Sequence, residues 1–173
     1  MPLNPRFAEP RVEWRDSPDV HESNPALAAV KSGSGKATMA LLGRLLIAAI
    51  FLMSGIAKLT DLPGTVAHMT KVGIPYADTL AIVAGVGEIL GAAALILGLL
   101  TRLGALGLFL YMIPTTLIFH AFWNHEGAEH LTQMVNFMKN LAIMGGLSTL
   151  VAVGALRFSV DHRIRRRHHR SFD

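Results

Sequence analysis

The chain has 173 residues, of which 51% are hydrophobic and 16% charged, with a net charge of +4 and no cysteine. A mean hydropathy of +0.42 is too high for an ordinary soluble domain of this size, and the apolar residues fall in long runs, as a bilayer requires. The missing cysteine excludes disulfides, thiol nucleophiles, iron–sulfur clusters held by this chain and Cys-ligated zinc.

In chain order, residues 1–38 come first. They scatter Pro2, Pro5, Pro10, Pro18 and Pro25 among mixed charges and contain no apolar signal-peptide core. Glu9, Glu13, Asp16 and Asp19 also argue against a transit peptide. Such a stretch has too little apolar surface to offset the entropy of ordering, so it is read as a disordered cytoplasmic tail. Ser32-Gly33-Ser34-Gly35 is read as a flexible joint before the first span.

Four segments of bilayer length follow, at 39–57, 79–99, 103–121 and 134–156. Each is close to the ~20 residues that cross a hydrocarbon core. Open strands cannot satisfy their backbone there, so helices are expected. The sequence therefore predicts an all-α integral membrane protein, a four-transmembrane-helix bundle over residues 39–156. Lys31, Lys36 and Arg44 before and within the first span, Arg102 between the second and third, and the basic tail 157–173 with Arg165, Arg166 and Arg167 put both termini on the cytoplasmic side. The loop between the first two spans holds a short helix, started by Asp61-Leu62-Pro63 and stopped by Gly73-Ile74-Pro75, that lies on the membrane surface or dips back into it.

The stretch AIVAGVGEILGAAALILGLL (81–100) carries one ionisable group, Glu88. Its helical neighbours are small: Ala81, Ala84, Gly85, Gly91 and Ala92. Gly85, Gly87 and Gly91 are expected to let another helix approach closely, so Glu88 should face protein. An unpaired charge at mid-bilayer costs about 3 kcal/mol or more, so it needs a partner or a proton. Polar residues on the other spans supply candidates: Lys58 and His120, then Gln133, Asn136, Lys139 and Asn140 along the fourth segment. Counting depth from the span ends puts a polar pocket in the outer half of the bundle. Glu88, His120, Lys139 and Asn140 line it, with Lys58 and Trp123 at its rim. Each has a plainer role open to it: snorkelling for Lys58, an aromatic belt for Trp123, an interfacial place for His120, and a structural ion pair for Glu88 with Lys139. His120, His125 and His130 recur every five residues, a spacing that leaves one helix face, so no metal site is assigned. The RIRRRHHR tail sits beside a span, where topology and anionic lipid explain it better than nucleic acid does.

The stretches LLGRLLIAAIFLMSGIAKLTD (41–61), AGVGEILGAAALILGLLTRLGALGL (84–108), LIFHAFWN (117–124) and QMVNFMKNLAIMGGL (133–147) resemble the DoxX family of small four-span membrane proteins. The resemblance covers residues 41 to about 160. It implies a multi-pass protein of the bacterial cytoplasmic (inner) membrane. Some members are linked to quinone-dependent sulfur oxidation, as subunits of thiosulfate:quinone oxidoreductases. The family's recurrent polar positions match Lys58, Glu88, Arg102, His120, Trp123, Gln133, Lys139 and Asn140. The expectation is a redox-associated membrane subunit with a quinone as the ligand, served by redox protein partners and compatible with a homo-oligomer. The alternatives are a non-catalytic scaffold for soluble partners and a small proton-coupled transporter.

Overall fold

The computed structural model describes residues 33–155 and 159–161. The expectations for most of the N-terminal tail, and for Arg165, Arg166 and Arg167, lie outside the described residues. Five helices are present: α1 (Gly33–Thr60), α2 (Leu62–Lys71), α3 (Ala77–Leu97), α4 (Thr101–Phe119) and α5 (Gly127–Val153). A 3₁₀ turn, Phe122–Asn124, joins α4 to α5. The helices are built from Ala, Leu, Ile and Met, and their boundaries follow local chemistry. The Asp61 carboxylate accepts from Gly64 N at 3.1 Å and caps α2, with a proline in its first turn. Gly98, in the left-handed region, ends α3.

Three of these helices are long and apolar enough to cross a membrane, not four. They span Ala37–Thr60, Ala77–Leu97 and Thr101–Asn124. The expected fourth segment does form a helix, the 27-residue α5. Its first half holds Glu129, Gln133, Asn136, Lys139 and Asn140, and these remove the sustained apolarity that a span requires. The four-span bundle is corrected to an all-α bundle with three membrane-length helices. The placement of both termini on the cytoplasmic side, drawn from lysine and arginine positions, also requires an even span count, and three membrane-length helices do not supply one.

The core joins Ala48 and Phe51 of α1, Ala92 and Leu95 of α3, Ala105, Leu108 and Met112 of α4, and Leu147 of α5. A second cluster packs Met69 of α2 against Ala77 and Ala81 of α3. On α3 the buried residues are Ala77, Ala81, Gly85, Glu88, Ala92 and Leu95, while Val83, Val86, Leu90 and Leu97 are exposed. The outward side chains are apolar, which suits lipid and not water.

Glycine sets how closely α1 and α3 approach. A Cβ at Gly55 would lie 2.7 Å from Gly85 O and 2.8 Å from an Ile89 side-chain carbon. At the opposite end, the segment 159–161 folds back on the α3–α4 link. Asp161 accepts from Leu100 N at 2.9 Å and Thr101 N at 3.2 Å, and so caps α4. Leu100 is left-handed, φ 50°, a conformation that costs a non-glycine residue about 1–2 kcal/mol. Arg44, 3% exposed, lies beside this link and is attracted to Asp161. Arg102 donates to Ala152 O at 3.1 Å, placing a cation at the C-terminus of α5.

Gly55→Ala should destabilise the folded protein by about 1–3 kcal/mol, because backbone and not a flexible side chain must yield. Gly145→Ala, where a Cβ meets nothing within 4 Å, should be neutral or slightly stabilising. Unfolding in mixed micelles followed by helical circular dichroism checks both.

Candidate functional site

Glu88 stands eleven residues into α3, about 17 Å along it. Lys58 lies two residues before the end of α1. Their side chains meet: Lys58 Nζ donates to Glu88 Oε2 at 2.9 Å and to Oε1 at 3.0 Å. Ser54, one helical turn before Lys58, donates to Glu88 Oε1 at 3.2 Å and accepts from Lys58 Nζ at 2.6 Å. Glu88 is 4% exposed and Lys58 21%. The carboxylate is thus held at both oxygens, as burial of a charge demands. The pair also fixes levels: the end of α1 sits beside the middle of α3. The short helix α2 fills the space above it, tied back through Thr65 Oγ1, which donates to Lys58 O at 3.3 Å.

A cavity of about 280 Å³ opens around this pair. Lys58, Ser54, Glu88, His120 and Asn140 line it, together with Thr65 and His68 of α2 and Tyr111 and Thr115 of α4. Asn140 Nδ2 donates to the buried Thr116 Oγ1 at 3.1 Å. His120 Nδ1 stands 2.8 Å from Gln133 Oε1, while Gln133 Nε2 donates to Glu129 Oε1 at 2.6 Å. With the amide oriented that way, Nδ1 carries the hydrogen, and Nε2 is the atom left for a ligand. The chain Glu129–Gln133–His120 leads from an exposed carboxylate to the cavity wall.

Of the residues singled out from sequence, the cavity gathers Lys58, Glu88, His120 and Asn140, with Gln133 behind His120. Lys139 and Trp123 do not line it. Lys139 precedes Asn140 by one residue, and a one-residue step turns an α-helix by about 100°; it is exposed and forms no ion pair among the described residues. Glu88 takes Lys58, not Lys139. Trp123 is 54% exposed and meets Phe122 and Phe137 edge-on, at 5.1 and 5.9 Å between ring centres. Asn136 is partly buried and lines neither this cavity nor its neighbour. Among the glycines, Gly85 meets Leu59 and Gly91 meets Leu108, but Gly87 faces open space. His120 does not join His125 and His130; the His130 ring instead reaches His125 O at 3.2 Å.

Two residues were missed from sequence. His68 stacks on Phe119, with ring centres 5.1 Å apart at 22°, and its helix was read only as a loop feature. Tyr111 interacts with Glu88 but reads in sequence as one more aromatic in an apolar run. Its position seven residues after Gly104 and four before Thr115, on a face of small and polar residues, was the available signal.

A second, larger hollow of about 710 Å³ lies between α3 and α4 and is open along one side. It is apolar along most of its length. Met69, Glu88, Tyr111, Thr115 and Phe119 line both hollows, which meet at these side chains.

Lys58→Met should cost about 3 kcal/mol or more, because it leaves the Glu88 carboxylate buried without its cation. The double variant Lys58→Met/Glu88→Gln should recover most of that loss. A double variant that instead loses the sum of what Lys58→Met and Glu88→Gln lose singly in the same unfolding assay would show that the pair is not coupled.

Residues 39–121 match the family model described as DoxX. The chain is 32% identical over 131 residues to the inner membrane protein YphA of Escherichia coli (strain K12), covering 76% of this chain and 94% of that protein. It is 31% identical over 128 residues to the inner membrane protein YqjF of the same organism, covering 73% of this chain and 92% of that one. No solved structure matches. Together with the apolar helices, these similarities identify a multi-pass protein of the bacterial inner membrane. The chain belongs to the DoxX family.

Proposed function

We propose that this protein is a redox-associated membrane subunit whose polar cavity takes the head of a quinone. The observation that carries the reading is the convergence of Lys58, Glu88, His120 and Asn140 on one small cavity bordered by an apolar groove. A quinone head needs hydrogen-bond donors for its two carbonyls and apolar surroundings for its ring, and such sites combine an apolar lining with a few convergent polar groups. Lys58, Asn140 and protonated His120 offer the donors. Reduction takes up two electrons and two protons. The chain has no cysteine, so the electrons are assigned to a protein partner, and this chain's part is to bind, orient and move protons. Glu88 stands at one proton position, and His120, oriented by Gln133 and Glu129, stands at the other.

One observation favours a second reading. Glu88 is already bound by Lys58 at both oxygens and by Ser54, an arrangement that also suits a structural pin in a scaffold for soluble partners.

Titration of purified protein with a short-chain quinone separates the two. Asn140→Leu and His120→Leu should each weaken binding on the order of tenfold, since each removes a hydrogen-bond donor to a quinone carbonyl. Unchanged affinity in both variants would overturn the quinone reading and leave the scaffold.

A further inference from the structure

Among the helix glycines whose Cβ would meet nothing within 4 Å, Gly87 and Gly107 line a hollow, whereas Gly43 and Gly145 line neither. Gly87 of α3 and Gly107 of α4 are exposed, and a Cβ on either meets nothing within 4 Å. Glycine inside a helix costs about 1 kcal/mol relative to alanine, and in membrane helices it is usually repaid by a neighbouring backbone at close range. Gly55 and Gly85 meet that description; Gly87 and Gly107 do not. Both instead line the groove between α3 and α4. Their missing side chains keep that groove open.

The groove's chemistry varies along its length. Val83, Leu90 and Leu103 make it apolar, and all three also rank among the exposed hydrophobic side chains on the bundle's outer surface. Midway it reaches Glu88 and Tyr111, which belong equally to the polar cavity. A molecule with one polar head and one hydrocarbon chain therefore finds two adjoining seats: the head at Glu88 and Tyr111, where the hollows meet, and the chain along the groove. At about 710 Å³ the groove falls within the range of small-molecule sites.

We infer that the α3–α4 groove is the channel for the isoprenoid or alkyl tail of the ligand, which enters sideways from the bilayer and leaves its tail between Gly87 and Gly107. The identity of the head rests on the quinone reading above. The groove does not attract the tail by the hydrophobic effect, because lipid is equally apolar. It acts by shape: a head in the polar cavity has its tail directed through this opening, so filling the opening excludes tailed ligands by steric clash.

The test compares two probes, a decyl-tailed quinone and its tail-less parent, on full-length protein in nanodiscs. The proteins are the wild type, the double variant Gly87→Leu/Gly107→Leu, and a control Gly145→Leu, which adds bulk to α5 where space is open and lines neither hollow. The double variant should bind the tailed quinone at least about tenfold more weakly while keeping wild-type affinity for the tail-less one; the control should bind both as wild type does. If the double variant binds both probes as wild type does, the groove inference is overturned and the quinone reading stands. If wild type binds neither probe, the quinone reading fails and the groove inference fails with it. If the folded double variant loses both probes, or differs from wild type in oligomeric state by light scattering, the groove is a packing surface and the inference is overturned.

Discussion

A lysine–glutamate pair in an apolar bundle sets the architecture of this protein. Two opposite charges removed from water cost several kcal/mol each unless they meet with good geometry and further hydrogen bonds. Lys58 and Glu88 do so, with Ser54 completing the set. Because Lys58 is near the end of α1 and Glu88 near the middle of α3, satisfying the pair sets the end of α1 beside the middle of α3. The space above it is filled by α2, whose Met69 packs on Ala77 and Ala81. The close approach of Gly55 to Gly85 lies beside the pair and holds it in register. The pair, the short helix and the glycine contact are thus consequences of one constraint.

The same constraint divides the interior. Below α2 the charged pair gathers polar partners from four helices into one small cavity. On the other side of Glu88 and Tyr111 the lining is apolar and opens along α3 and α4. Such a division suits an amphipathic ligand, and it locates the carboxylate where a proton would have to pass between head group and protein. α5 contributes differently. It brings Asn140 and Gln133 inward and turns Lys139 outward, and its polar residues keep it from being a membrane-length apolar helix.

Much of the helical framework was legible in the sequence because bilayer-length apolar runs leave few alternatives. The small-residue face of α3 correctly turned Glu88 inward, since periodicity of 3.6 reports which side packs. Depth was not legible. Counting from helix ends assumes that all helices begin and end at the same level, and α1 does not, so depth counting puts Lys58 at the rim and leaves the carboxylate's partner open between Lys58 and Lys139. Phase over one residue was also lost: Lys139 and Asn140 share a sequence neighbourhood but not a face. Gly87 was read as a packing glycine because sequence does not distinguish a glycine that admits a helix from one that leaves a hollow. Length alone made 134–156 look like a span; the density of amides and charges in its first half was the contrary signal.

The state of the Glu88 carboxylate tests this picture most directly. Infrared spectra of the protein in lipid at neutral pH, compared between wild type and Glu88→Gln, isolate the carboxyl stretch of this one group. An ion pair with Lys58 requires a carboxylate band that the substitution removes, with no protonated-carboxyl band lost. Loss of a protonated-carboxyl band instead would mean that Glu88 is neutral in the membrane and that the pair does not hold the bundle in register.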